Sequence, residues 1–394
     1  MRYRRLIHSL DPATGGPPEG IRQVVPELQA RGIQGEVWCA DDPLAPWLAA
    51  FPEPVKTWRP RLRSYGWAPD LTARLAAAAQ ADPVAVQIVH GLWKAHGVSA
   101  WLTARALGVP YVVFPHGMLD PWFRRAQPLK HLKKQVYWWW RQGRVLRGAA
   151  AVLFTCDEER RLAERTFWPY RVRAQVVSYG IGRTEATERD REAWAAFQPG
   201  LCGRRQLIFL GRVHAKKGVD LLLRAWLEQP LAGAPEQAPC LVLAGPDGPE
   251  LAAKVQRELN PEQARRFAAT VVAPGLLRGA EKAGALAAAD AFILPSHQEN
   301  FSLATAEALA AGKPVLITRK VNIWREVEAA GAGWVEADTL AGVRRLLAIW
   351  REQPQELTVR AARAEACWRE RFSLAAYADS LAAALRNAAT GGQS

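Results

Sequence analysis

Short runs of apolar and β-branched residues alternate with stretches of helical period along nearly the whole chain, and this alternation restricts the fold to one built from βαβ units. In the first half, residues 3–10, 35–39, 84–90, 111–115, 150–155 and 174–177 read as strands. A loop over 11–18 follows the first of them, and then a helix over 20–31 that stops at Gly32. Residues 207–210, 240–244, 270–272, 291–294 and 314–317 form a second series of strands. Between the two series, the polar and charged stretch 183–203 reads as a linker with a short helix. Two successive α/β halves predict two Rossmann-like, doubly wound domains facing a cleft, over 1–182 and 204–370. A final helix in 371–394 is a candidate to return to the first domain.

A length of 394 residues has room for two such cores. With 49% hydrophobic and 23% charged residues, the composition excludes wholesale disorder. Cys39, Cys156, Cys202, Cys240 and Cys367 lie far apart and form no C-x-x-C pair. That excludes a disulfide framework and a zinc ligand set, and predicts small buried hydrophobes in a reducing compartment. The opening MRYRRLIHSL is charged and lacks the apolar run and cleavage site of a signal peptide. No stretch reaches the roughly 18 uninterrupted apolar residues of a spanning helix, so a cytoplasmic protein is expected. The net charge of +14 favours anionic partners.

The strongest local signal is AFILPSHQENFSLATAEALAAGKP, residues 291–314. A buried strand runs into a polar loop, and a helix opens near Ser302, where unpaired N–H groups and the positive end of the dipole suit a diphosphate at Phe301, Ser302 and Leu303. Glu299 stands just before that helix, and Glu307, a turn and a half inside it, suits a ribose diol. A lone E-x7-E arises readily by chance; its companions change that reading. In FLGRVHAKKGV, residues 209–219, a strand ends at Gly211 and Arg212 and Lys217 follow it, at the carboxyl edge where open α/β sheets bind ligands. Two cations there would neutralise charge growing on a departing diphosphate.

Together these segments resemble the retaining glycosyltransferases of family 4, which have the GT-B fold. The family's Gly-Arg-hydrophobic-x-x-x-Lys-Gly corresponds to Gly211, Arg212, Val213, Lys217 and Gly218. Its Glu-x-Phe-Gly-x-x-x-x-Glu corresponds to Glu299, Phe301 and Glu307, with Ser302 in place of the usual Gly. Gly312-Lys-Pro314, the His116-Gly117 loop and Gly15-Gly16 extend the likeness over nearly the whole chain. The resemblance implies that Arg212 and Lys217 hold the donor diphosphate and that Glu307 binds the ribose. It implies that Glu299 and the backbone of Asn300, Phe301, Ser302 and Leu303 meet sugar and phosphates, and that His116 approaches the sugar. Gly15 and Gly16 would give the phosphates close backbone contact. Segments 245–248 and 274–277 fall where the family places nucleoside contacts. The chain departs from the family at Tyr179-Gly-Ile-Gly182, where Asn-Gly-hydrophobic-Asp is common. No Asp-x-Asp occurs, so metal-independent chemistry is expected, with no cofactor besides the nucleotide-sugar donor.

From 121 to 150 there are eight basic residues and no acidic one. Leu129, Leu132, Val136, Trp139 and Leu146 recur at helical spacing, and residues 137–140 are all aromatic. Such a basic, amphipathic segment suits an anionic membrane face, beside which the family's glycan or lipid-linked acceptors would be met. A hexosyltransferase of polysaccharide or glycolipid assembly is the leading expectation. A nucleotide-sugar epimerase or hydrolase of the same architecture stays open, and so does a nucleic-acid-binding module, although no RNP, KH or zinc signature supports the last.

Overall fold

The computed structural model describes residues 1–183, 185–230 and 237–391. The chain divides into two compact units, one formed by Met1–Gly180 with Leu374–Ser394 and the other by Ile181–Ser373; residues 392–394 lie outside the described ones. The first unit is built on a sheet of seven parallel strands in the order β3-β2-β1-β4-β5-β6-β7. These are β1 Arg2–Leu6, β2 Gln34–Cys39, β3 Val55–Thr57, β4 Val86–His90, β5 Tyr111–Phe114, β6 Ala151–Phe154 and β7 Ala174–Val176. The second unit holds six parallel strands in the order β10-β9-β8-β11-β12-β13. They are β8 Gln206–Leu210, β9 Cys240–Ala244, β10 Val271–Gly275, β11 Ala291–Leu294, β12 Val315–Thr318 and β13 Gly333–Glu336. In both sheets the order reverses beside the first strand, between β1 and β4 and between β8 and β11. This is the doubly wound arrangement, buried on both faces, which is why its central strands read as continuous apolar runs.

Sequence patterning missed two strands. Both β3 and β13 are short edge strands whose residues are mostly half-buried, so neither shows the apolar run of a central strand. The first helix, α1 (Gly16–Ala30), begins four residues earlier than its pattern suggests, with Pro17 and Pro18 in its first turn, where a missing N–H costs nothing. Further helices bearing on the site are α2 (Pro128–Tyr137), α3 (Glu188–Phe197), α4 (Gly279–Ala288), α5 (Leu303–Ala310) and α6 (Leu374–Thr390). In the first unit, α6 buries Tyr377, Leu381 and Leu385, and Asp379 on it meets Arg31 at 2.7 Å.

Residues 183–203 belong to the second unit. Within them α3 carries Trp194 into the core, where its indole N–H donates to Gln206 on β8 at 3.3 Å. Helix α4 lies so close that a Cβ on Gly284 would stand 2.0 Å from the Asp190 carbonyl oxygen and 2.7 Å from the Trp194 Cβ. Four of the cysteines are buried as expected, but Cys202 is exposed. Among the described residues, no helix is long and apolar enough to cross a membrane. Gly284→Ala should therefore lower unfolding stability by about 1–3 kcal/mol, because the added methyl overpacks the α3–α4 contact. Urea unfolding checks this; an unchanged midpoint would mean that α3 is not seated there.

Candidate functional site

In the second unit the loops after β8 and β11, on either side of the switch point, are joined backbone to backbone. Gly218, at φ +64°, lets the turn 215–217 close against the next loop: a Cβ there would stand 2.1 Å from the Pro295 carbonyl oxygen. The His297 N–H donates to the Lys216 carbonyl at 2.7 Å. On the other side the Gly211 N–H donates to Ala244 at 3.0 Å, and the Gly245 N–H to Gly275 at 2.8 Å. These bonds tie together the carboxyl ends of β8, β9 and β10, including the segments 245–248 and 274–277. A Cβ on Gly245 would lie 2.0 Å from the Gly211 carbonyl oxygen, so this contact needs a residue without one.

Lys217 and Glu299 form an ion pair across that joint, while Arg212 projects from an exposed position. Burial, with the like charges of Arg212 and Lys216 behind it, pushes the Lys217 ammonium down to about 8. The Glu299 carboxylate beside it favours the charged ammonium. The backbone holds Glu299 from both sides: its N–H donates to Lys320 at 2.9 Å and its carbonyl accepts from Asn322 at 3.1 Å.

Ser302 caps α5, yet it does so at φ +62°, where a side chain is strained by about 1–3 kcal/mol and glycine is not. This is the physical sense of the family's usual glycine. The Ser302 hydroxyl is engaged by Thr305, at 2.7 Å from its hydroxyl and 3.3 Å from its N–H, rather than left for a phosphate. The N–H groups of the first turn that no helical carbonyl reaches remain at Leu303 and Ala304. Phe301 is buried edge-on against Phe372, with centroids 5.5 Å apart. Glu307 receives a hydrogen bond from Lys282 of α4 at 2.6 Å, a partner that sequence reasoning missed because 25 residues separate the two. Asn300 receives a long contact from the Asn322 amide at 3.4 Å.

In the first unit Gly15, at φ +121°, precedes Gly16 at the start of α1 and follows β1 by a short turn. His116, also strained at φ +51°, follows β5, and its loop is anchored by the buried Glu159. One Glu159 oxygen accepts from the Gly117 N–H at 2.6 Å; the other accepts from the Thr155 N–H and hydroxyl, both at 2.7 Å. The His116 ring packs edge-on against Tyr179, which stacks on Tyr377 of α6 at 5.1 Å. The tyrosine at the departure from the family's Asn-Gly is thus a packing element beside His116. A Cβ on Gly20 of α1 would fall 2.0 Å from its ring. Burial holds the His116 imidazole far below the usual histidine range, so it is neutral near pH 7.

The basic segment after Pro121 is partly core. Trp138 and Leu146 are buried, which splits the aromatic run and removes Leu146 from the exposed stripe. Lys134 lies over the Trp93 ring at 4.7 Å, and burial pushes it down to about 8. Still exposed are Leu129, Leu132, Val136, Trp139 and Trp140, joined by Trp168, which is 74% exposed and which the sequence pattern did not point to. The loop of Trp168 is pinned to this face: its carbonyl accepts from Gln135 at 2.6 Å and from the Trp139 indole at 2.7 Å.

Among solved structures, HepE of Anabaena in complex with UDP and glucose superposes with a TM-score of 0.72 at 17% identity, over 98% of this chain and 99% of that one. Sucrose-phosphate synthase from Thermosynechococcus elongatus gives 0.71 at 18% identity, over 98% of each. The fold class is GT-B. Residues 15–180 match the glycosyl transferase 4-like domain and residues 204–350 the glycosyl transferases group 1 domain, and the chain belongs to this family of glycosyltransferases. Among curated relatives, D-inositol 3-phosphate glycosyltransferase of Kineococcus radiotolerans is 29% identical over 64% of this chain and 59% of its own length. That of Kribbella flavida is 31% identical over 44% and 41%. The chain thus spans about half the length of these relatives.

Lys217 of the ligand-free protein should lose its proton as pH rises through about 8, well below an ordinary lysine. Glu299→Gln removes the opposing carboxylate and should move that titration lower still. NMR of labelled lysine side chains follows both, and a Lys217 titrating in the ordinary range would refute the electrostatic account.

Proposed function

We propose that the chain is a retaining glycosyltransferase that moves a hexosyl unit from a nucleoside-diphosphate sugar to a glycan or lipid-linked acceptor, without a metal ion, in polysaccharide or glycolipid assembly. The observation that carries this reading is the joint at the second switch point, where Arg212, Lys217 and Glu299 stand in loops bonded to each other beside the N-terminus of α5. That HepE is described with UDP-glucose supports a nucleotide-sugar donor.

Breaking the bond from the anomeric carbon to the diphosphate leaves added negative charge on the phosphate oxygens. Arg212, Lys217 and the free N–H groups at the start of α5 receive it, without reorganisation at the moment of reaction. A phosphate reaching Lys217 competes with Glu299 for the ammonium, which releases that carboxylate toward the sugar hydroxyls. Glu307 accepts from the ribose diol, and Lys282 keeps its charge balanced. His116 meets the sugar, and Gly15-Gly16 admits phosphate close to backbone. The leaving phosphate takes the acceptor hydroxyl's proton on the face it departs from, so the new bond forms there and the anomeric configuration is retained.

The exposed Trp139, Trp140 and Trp168, with Leu129, Leu132 and Val136 and the cations Lys130, Lys133, Arg144 and Arg147, support attachment to an anionic membrane on its cytoplasmic face. Each such cation contributes about 1 kcal/mol near the surface, and the indoles add a part that salt does not screen.

Screening UDP-, GDP- and ADP-hexoses should find one that raises the melting temperature, since a ligand of the folded state alone stabilises it. With acceptor present, NMR of the first-formed product should show the donor's anomeric configuration; an inverted product overturns the reading. Arg212→Ala should cost about 2–4 kcal/mol in the barrier while leaving the fold intact. In a separate measurement, the protein should sediment with anionic but not neutral vesicles at low salt. Replacing Lys130, Lys133, Arg144 and Arg147 with Gln should release it, and Trp168→Ala with Trp139→Ala should remove the salt-resistant part. A wild-type protein that ignores anionic vesicles would make this face an ordinary solvated one.

A further inference from the structure

β1 carries Arg5 into the core of the first unit, fully buried. Its guanidinium lies 3.6 Å from a Glu53 oxygen, 4.7 Å above the Tyr3 ring, and donates to the Tyr3 hydroxyl at 3.2 Å. The Tyr3 hydroxyl in turn donates to Glu53. Arg5 also points a nitrogen at His90, at the carboxyl end of β4, with 3.5 Å from Nη1 to His90 Nε2. The other ring nitrogen of His90, Nδ1, is 3.0 Å from His116 Nε2. The two rings lie within 10° of parallel, and Phe114 lies alongside both.

This geometry assigns the protons. A guanidinium only donates, so a hydrogen on His90 Nε2 would face a cation, and the proton of neutral His90 sits on Nδ1. From Nδ1 it is given to His116 Nε2, which must accept. The one proton of neutral His116 is then left on its Nδ1, for which no hydrogen-bond partner is found among the described residues, in a residue that is only half-buried. Loss of solvation keeps both imidazoles neutral near pH 7, with the charge of Arg5 adding to the effect at His90.

We propose that Arg5 and His90 are positioning residues that hold His116 as its Nδ1–H tautomer, so that the open nitrogen of His116 is a hydrogen-bond donor and not a base. Resting on the glycosyltransferase reading above, its ligand is an oxygen of the donor sugar, and the acceptor's proton must leave by another group, the departing phosphate. Glu53 and Tyr3 serve one step further back, by holding the guanidinium in place.

The test uses the full chain labelled with nitrogen-15 histidine, with the His116 signals assigned from their loss in His116→Gln. At pH 7 the wild-type spectrum should show a bare, accepting Nε2 and a protonated Nδ1 at His116. A protonated Nε2, or an imidazolium, overturns the proposal without reference to catalysis. His90→Phe removes the donor and should release His116 to the other tautomer. His90→Gln offers an amide N–H to His116 and a carbonyl to Arg5, and should keep the wild-type pattern. In sugar transfer, kcat should fall about tenfold in His90→Phe, the worth of one hydrogen bond, with donor KM little changed, and recover in His90→Gln. An unchanged tautomer in a folded His90→Phe also overturns the proposal; should that variant not fold, the wild-type spectrum decides alone. Absence of sugar transfer in the wild type would instead overturn the functional reading and leave the tautomer to the spectrum.

Discussion

In a wholly parallel sheet every strand delivers its following loop to the same edge, and a reversal of strand order parts two neighbouring loops there. Both sheets of this protein obey that constraint, between β1 and β4 and between β8 and β11. In the second unit, everything of chemical interest stands on it. Lys217 and Glu299 meet because β8 and β11 are neighbours in space although 82 residues separate the two side chains. The glycines at 218 and 245 let the backbones of these loops come within reach of each other. The loops of the site are therefore held together by main-chain hydrogen bonds, independently of its charged side chains.

Electrostatics then decides how the charges of that site are arranged. Each carboxylate expected to serve the donor is matched with a lysine, Glu299 with Lys217 and Glu307 with Lys282. Partial burial makes an unpaired charge costly, so the pairs stabilise the site. In the proposed reaction a donor phosphate takes the place of Glu299 at Lys217, one anion exchanged for another. Burial also lowers the lysine's proton affinity, and this keeps its charge sensitive to what lies beside it.

The first unit handles charge differently. Two arginines of β1 lie inside the sheet's layers, Arg4 against Glu36 and Arg5 against Glu53, where replacing either partner alone would leave a buried ion uncompensated. Such pairs contribute direction more than stability. Arg5 faces the end of β4, and through His90 its influence reaches a histidine at the mouth of β5. Glu159, from the helix after β6, holds the same loop from the other side. The Glu159 bond to the Gly117 N–H, next along the chain, helps to keep the strained backbone of His116.

The sequence by itself determined the alternating α/β plan, most strand positions and the motif residues, because apolar runs and loop motifs are local properties of the chain. Short edge strands escaped it, since β3 and β13 bury too little to leave an apolar signature. So did the true place of 183–203, whose polar helix hides one inward tryptophan, Trp194. Tertiary structure alone decided which charges pair, that Ser302 spends its hydroxyl on Thr305, and that Trp138 is core while Trp168 is surface. It also decided that the first strand, read from its pattern, buries both Arg4 and Arg5, and that Arg5 faces a histidine. Pairing and burial depend on which strands become neighbours, and a parallel sheet joins residues whose separation along the chain no local pattern records.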